Sequence, residues 1–400
     1  MLPACKTRRL YDRVRRLSVC TALALVPFAL HANNGNGNGN GNGNGGGGGS
    51  NVYNWTGSPW YNGWSSGSNW AGGTAPPAQY NDPAAANAIL NFGTGTYSFN
   101  DGWIHTQKEI NFGTSLGNST YTIDNNSSEK IFKFTNSPVI SVNHTGTAII
   151  NSGIDLQDDI LITGNHGGTL VINGAVNKGW QWDPVAPTGG MTKEGNSTLI
   201  LTGSENNNLN SLTIEDGTVI LDKSNGATAA SGNISINGGT LLLASSNQIA
   251  DNTQMQLGGG TFATGGNSEA LGTLTLSSSS TIDLGESGTL AFADSSGTNW
   301  SGTLLITNWG SDEEGGVSQI YFGSDASALT ADQVNSISFV NPDGYSPGIY
   351  GAKLLDNGQL VPYANFSVIP EPSTVMGGIL LSLGAALLTW SQRKKRSQAP

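Results

Sequence analysis

A glycine–threonine–hydrophobe unit returns through the middle of this 400-residue chain at a nearly constant interval. It stands at Gly146-Thr147-Ala148, Gly168-Thr169-Leu170, Gly217-Thr218-Val219, Gly239-Thr240-Leu241 and Gly260-Thr261-Phe262, with Ser197-Thr198-Leu199 keeping the phase. The spacings are 22, 29, 20, 22 and 21 residues, and the long one holds an inserted Trp180-Gln181-Trp182-Asp183-Pro184 loop. Further copies begin at Gly272, Gly288 and Gly302, 16 and 14 residues apart. A fixed period of this size marks a repeat architecture. At about 3.3 Å per residue, one period makes two or three short strands with their turns. Glycine suits the corner through its access to unusual φ, and the Thr-aliphatic pair begins a strand with alternate side chains inward. Stacked units then bury Leu170 with Ile172, Leu199 with Leu201, Val219 with Leu221 and Leu241 with Leu243 in a column. One unit alone would leave its apolar face bare. The expectation is an all-β chain, a right-handed parallel β-solenoid (β-helix).

Shorter signals fit around that repeat. Alternation predicts strands near residues 96–99, 121–123, 131–134 and 160–162, each bounded by Gly, Asn, Asp or Ser. Helical periodicity is missing from residue 89 to the last apolar run, apart from a turn at 326–333. The repeats are assigned to 89–298 and a terminal β module to 299–362. Upstream, 33–50 is an Asn-Gly repeat ending in polyglycine, with nothing to bury and much backbone entropy to lose, so it reads as a flexible tether. Residues 51–88 are rich in aromatics at their start: Tyr53, Trp55, Trp60, Tyr61, Trp64 and Trp70. Two readings compete here. The rings could cap the open end of the repeats, since terminal units need atypical residues. Alternatively Trp55, Trp60, Trp64 and Trp70 could form a platform on which sugars stack.

Both ends read as targeting segments. Lys6, Arg8, Arg9, Arg13, Arg15 and Arg16 precede an apolar run at 17–30, and Ala29-Leu30-His31-Ala32 offers a cut between Ala32 and Asn33. Residues 1–32 are therefore expected to be a signal peptide. Thr7-Arg8-Arg9-Leu10-Tyr11 approaches a twin-arginine motif, but Asp12 stands where a hydrophobe belongs, which favours ordinary export. Cys20 follows Val19 and precedes most of the apolar run, which argues against lipidation. At the other end, residues 375–390 carry no charge and as a helix would be about 24 Å long. That is somewhat short of a roughly 30 Å hydrocarbon core unless flanking Ser and Thr extend it. Pro370 and Pro372 bound it upstream, while Arg393, Lys394, Lys395 and Arg396 hold the far end in the cytoplasm. One C-terminal transmembrane helix in the inner membrane is the expectation.

Charge and cysteine divide along the same lines. Both cysteines, Cys5 and Cys20, lie in the leader, so the exported part has no disulfide, thiol nucleophile or Cys-bound metal. Between the two ends stand seven lysines, no arginine and 27 acidic residues, a net charge near −20. Such a body repels phosphate backbones, and nucleic acid is excluded as a partner.

Pro370-Glu371-Pro372, the apolar run and the basic cluster, in that order, resemble the PEP-CTERM sorting signal of Gram-negative bacteria, here spanning 363–400. The resemblance implies recognition by an exosortase, a membrane-embedded cysteine protease, and cleavage near the tripeptide. The product would pass to the cell surface or extracellular matrix, commonly alongside exopolysaccharide. The alternative is a plain single-pass anchor. Residues 191–221 resemble the autotransporter-associated β-strand repeat through Lys193, Gly195, Thr198-Leu199, Leu201, Gly203, Leu212, Ile214, Gly217-Thr218 and Leu221. Residues 299–362 are similar to the module that often lies between such repeats and the sorting signal, through Trp300, Trp309, Tyr321-Phe322-Gly323 and Gly358-Gln359-Leu360-Val361-Pro362. What this implies is a β-solenoid passenger of a secreted surface protein. Residues 363–400 cannot supply a strand barrel.

Catalytic chemistry finds little support. A polyuronate lyase needs a cationic base, and here the lysines are scattered. Asp155 with Asp158 and Asp159, or Asp312 with Glu313 and Glu314, could pair as glycosidase carboxylates, but on an acidic surface they read as solvated loops. His105, His144 and His166 read as surface histidines, although His144 and His166 lie one period apart. The sequence predicts no metal, no cofactor and no enzyme. It predicts an exported structural or adhesive protein, with a carbohydrate-binding protein or a polysaccharide-active β-helix enzyme as alternatives.

Overall fold

Strand follows strand, with few helical turns between them. The computed structural model describes residues 51–57, 61–77, 85–101, 104–125, 131–179, 185–310 and 317–363. The chain divides into two units, Met1–Gly48 and Gly49–Pro400, and all the described residues belong to the second. The segments expected to be leader (1–32), tether (33–50) and, from residue 364 on, sorting tail, with Ala32, Asn33, Pro370, Glu371, Pro372, Arg393, Lys394, Lys395 and Arg396, lie outside them. No helix among the described residues is long and apolar enough to cross a membrane.

The described chain is nearly all β, arranged in two long parallel sheets and a short third one. The first sheet runs Asn51–Trp55, Ala88–Phe92, Ile104–Phe112, Ile131–Val142, Ile160–Thr163, Met191–Lys193, Ser211–Ile214, Asn233–Ile236, Met255–Leu257 and Leu274–Leu276. The second runs from Tyr97–Asn100 and Thr120–Asn125 through Thr147–Ile150, Thr169–Ile172, Thr198–Gly203, Thr218–Lys223, Thr240–Leu243, Thr261–Ala263 and Ser280–Asp283. It continues with Leu304–Thr307 and Ile337–Val340. From Ala88 to Ala263 the chain passes back and forth between the two sheets, with Gly153–Leu156 and Ile160–Thr163 both in the first, so each strand's parallel neighbour lies about one repeat away. Parallel pairing requires such a crossover. The third sheet, Glu269–Leu271, Gly288–Phe292 and Ser318–Phe322, begins on a further side late in the chain.

Register turns the sequence repeat into rows of like residues. Thr120, Thr147, Thr169, Thr198, Thr218, Thr240, Thr261 and Thr281 pair successively along one outward row. Next to it, Leu170, Leu199, Val219, Leu241, Phe262 and Ile282 form an inward row, all buried. Ile172, Leu201, Leu221 and Leu243 form a second one. The columns expected from the sequence are therefore the core.

The repeat glycine acts differently from expectation at several corners. Gly217 does need its positive φ of 74°. Gly146, Gly168 and Gly260 keep ordinary φ and are needed for space: a Cβ on Gly168 would stand 2.1 Å from the carbonyl oxygen of His144, one circuit earlier. Successive circuits touch at this corner, backbone on backbone.

The two ends of the stack are finished by different devices. Asn51–Trp55 already pairs in register with Ala88–Phe92, so the first sheet begins inside the segment expected to be a cap. Trp55, Trp64 and Trp70 pack onto this first layer with Phe92, Phe112, Tyr121 and Phe132. At the other end Leu304–Thr307 and Ile337–Val340 extend the second sheet without a break. The sheet then turns antiparallel through Ile349–Leu354 and Leu360–Tyr363. The expected turn at 326–333 becomes a short helix, Ala331–Asn335, closed by a capping box between Thr330 and Gln333.

Candidate functional site

The tryptophans proposed as a sugar platform face inward where the structure describes them. Trp64 is fully buried, stacked on Phe132 at 5.0 Å with ring planes 3° apart. Trp70 is buried edge-on to Trp55 at 5.1 Å, and its indole N–H donates to the Trp64 carbonyl. Trp55 is buried beside them. A sugar cannot stack on rings that expose no face to solvent, so a platform of Trp55, Trp64 and Trp70 is corrected to core. Trp60 lies outside the described residues. What this end exposes instead is Tyr61 and Tyr97, 48% and 41% accessible.

Two of the three histidines are also corrected. His105 and His144 are buried, His105 edge-on to Trp64 and His144 against Phe112. His144 Nδ1 accepts from the Gly146 amide at 3.0 Å, and burial holds its imidazole below the usual value. His166 is exposed. Asp155 is buried and accepts from the Gly179 amide, so it is no solvated loop residue. Asp159 and Asp158 accept from the Gly190 and Asn136 amides at neighbouring turns. Asp312, Glu313 and Glu314 lie outside the described residues. Among the described residues no group of three or more His, Cys, Asp or Glu side chains could hold a metal ion.

Several buried polar residues fall outside the glycine–threonine–hydrophobe pattern. Lys193 is fully buried in a row whose neighbours are Ile162 and Ile214. Its ammonium donates to the carbonyls of Glu194 and Gly195 at 2.7 Å and of Asp216 at 3.4 Å. Burial lowers its pKa to about 8, against the opposing pull of Asp216 and Glu194. Lys223, buried the same way, also falls to about 8 and donates to the Gly174 carbonyl. Glu269 is pushed up to about 7 by burial. One of its oxygens accepts from the Gln248 and Ile249 amides, and the other has no hydrogen-bond partner.

Asn177, Asn207 and Gln248 do related work along the loop side. Each accepts from a backbone amide and donates to a carbonyl, closing backbone groups in the loops and at the strand ends Leu156 and Lys223. A buried Asn or Gln outside a strand has no period, which is why the sequence pattern misses it.

A groove of about 660 Å³ opens beside the second sheet. Asn125, Asn151 and Asn173 line one side, with Asp155, Lys178 and Glu205 around them. Lys178 and Glu205 form an exposed pair at 2.7 Å. Amides, carboxylates and one cation can recognise hydroxyl groups by paired donors and acceptors. No family model, no curated protein and no solved structure matches this chain.

Proposed function

We propose that this chain is an exported β-solenoid protein, sorted through residues 363–400 to the cell surface or extracellular matrix, where it acts as a structural or adhesive component. The single observation that carries the reading is the order Pro370-Glu371-Pro372, apolar run, Arg393-Lys394-Lys395-Arg396. The leader at 1–32 and the anionic, cysteine-free body between the ends support it. So does the architecture: parallel sheets joined by crossovers are built right-handed almost without exception, because a right-twisted strand packs back onto its sheet that way. A stack of circuits held by repetition suits an extracellular scaffold, since each circuit adds surface without needing a new core.

In this reading an exosortase acts on the tail while the apolar run still holds the chain in the inner membrane, and exopolysaccharide is a partner at the destination. The test is the intact mass of the exported protein from hosts with and without an exosortase. The mass should drop by the residues that follow the Pro-Glu-Pro tripeptide only when the enzyme is present. Equal masses in the two hosts would refute processing and leave a membrane anchor.

A further inference from the structure

Two exposed tyrosines and a row of polar side chains meet at the first edge of the second sheet. Strand Tyr97–Asn100 is that edge, and its outward residues are Tyr97 and Phe99. Tyr61 packs edge-on against Phe99 at 5.2 Å, and Tyr97 lies 6.3 Å from the same ring. The Tyr61 hydroxyl donates to Asp101 at 2.7 Å, and the Ser65 amide donates to the same carboxylate at 2.8 Å. Tyr61 is thereby fixed in place although nearly half its surface faces solvent. Large exposed apolar groups gathered at one place mark a contact surface, whereas scattered ones do not.

The surface continues in register. Phe99 pairs with Asp124 on the next strand. Asn151, one strand further, donates to Asp124 at 3.4 Å, and Asn173 on the following circuit donates to Asn151 at 3.2 Å. Asn151 and Asn173 also line the 660 Å³ groove. Aromatic edge, amide row and groove thus form one strip that crosses the strands, advancing about 4.8 Å per strand.

We propose that this strip binds a neutral glycan chain laid across the strands, with one sugar face on Tyr61 and Tyr97 and the following units on Asp124, Asn151, Asn173 and the groove. The chemistry of each part favours that occupant. An aromatic face is electron-rich and attracts the weakly positive C–H face of a pyranose. An amide offers donors and an acceptor together, matching neighbouring sugar hydroxyls. The groove's volume lies in the range of sites that enclose small ligands. Charge selects among glycans: among the described residues Asp101, Asp124, Asp155 and Glu205 stand along the strip with Lys178, an acidic excess that repels polyuronates. The inference goes beyond the sorting reading and does not depend on how the tail is processed.

Calorimetric titration of the full chain with neutral hexasaccharides of β-1,4-glucose, β-1,3-glucose and β-1,4-xylose tests it, with hexagalacturonate as the anionic comparator. At least one neutral probe should bind and the uronate should not. Combined Tyr61→Ala and Tyr97→Ala should weaken that binding about tenfold or more, and Asn173→Ala severalfold. Both tyrosines and Asn173 are exposed, so thermal unfolding midpoints should match wild type. Asn173→Ala, far from the edge strand, keeps the test open should the tyrosine variant unfold. The proposal is overturned by silence from all three neutral probes, by equal affinity for the uronate, or by unchanged binding in both variants.

Discussion

Lys193 stands where its row calls for an aliphatic side chain, between Ile162 and Ile214. Its pKa, with that of Lys223, falls from 10.5 to about 8 on folding. Between those values the folded protein binds fewer protons than the unfolded one, so stability rises with pH across that window. Glu269 moves the other way, from 4.5 to about 7, and there the folded state holds more protons, so stability falls as pH rises. The contribution of these three groups to stability should therefore pass through a minimum between about pH 7 and 8. Urea midpoints measured through both windows check this. Glu269→Gln should flatten the acidic side, and Lys193→Met with Lys223→Met the alkaline side. Gly168 sets a separate expectation. A Cβ there would collide with the His144 carbonyl, so Gly168→Ala should cost about 1–3 kcal/mol, read as a lower denaturation midpoint. An unchanged midpoint would mean the two circuits can move apart.

The strand is the level at which repetition becomes energy. In Thr198–Gly203 the residues alternate, Thr198 outward in the threonine row and Leu199 inward. Leu199 is covered by Leu170 on one side and Val219 on the other. Leu199→Ala should leave a cavity its neighbours cannot close and cost about 2–5 kcal/mol. Thr198→Ala, on the half-exposed row, should cost well under about 1 kcal/mol, the scale of a cross-strand pair. Chemical denaturation of the two variants separates the effects, and comparable losses would contradict the division into inward and outward rows.

The whole stack must protect its open edges, because an unpaired parallel strand is a template for another chain. At the late end that task falls to Ile337–Val340 and the antiparallel pair Ile349–Leu354 and Leu360–Tyr363. A chain ending after Asn308 would leave Leu304–Thr307 uncovered. Light scattering should then show concentration-dependent association absent from the full chain. A monomeric truncated chain would show that the hairpin is dispensable as a cap.

Strand positions, the inward rows and the threonine row were legible in the residues alone, because alternation with period two fixes which side chains share a face and a steady repeat length fixes which strands become neighbours. Which way the aromatic and charged side chains face was not. Trp55, Trp64 and Trp70 turned inward while Tyr61 and Tyr97 turned out, and Lys193 went into the core. Gly168 proved to be a contact and not a bend. Those choices depend on what each group packs against one circuit away, and that partner exists only once the chain has coiled.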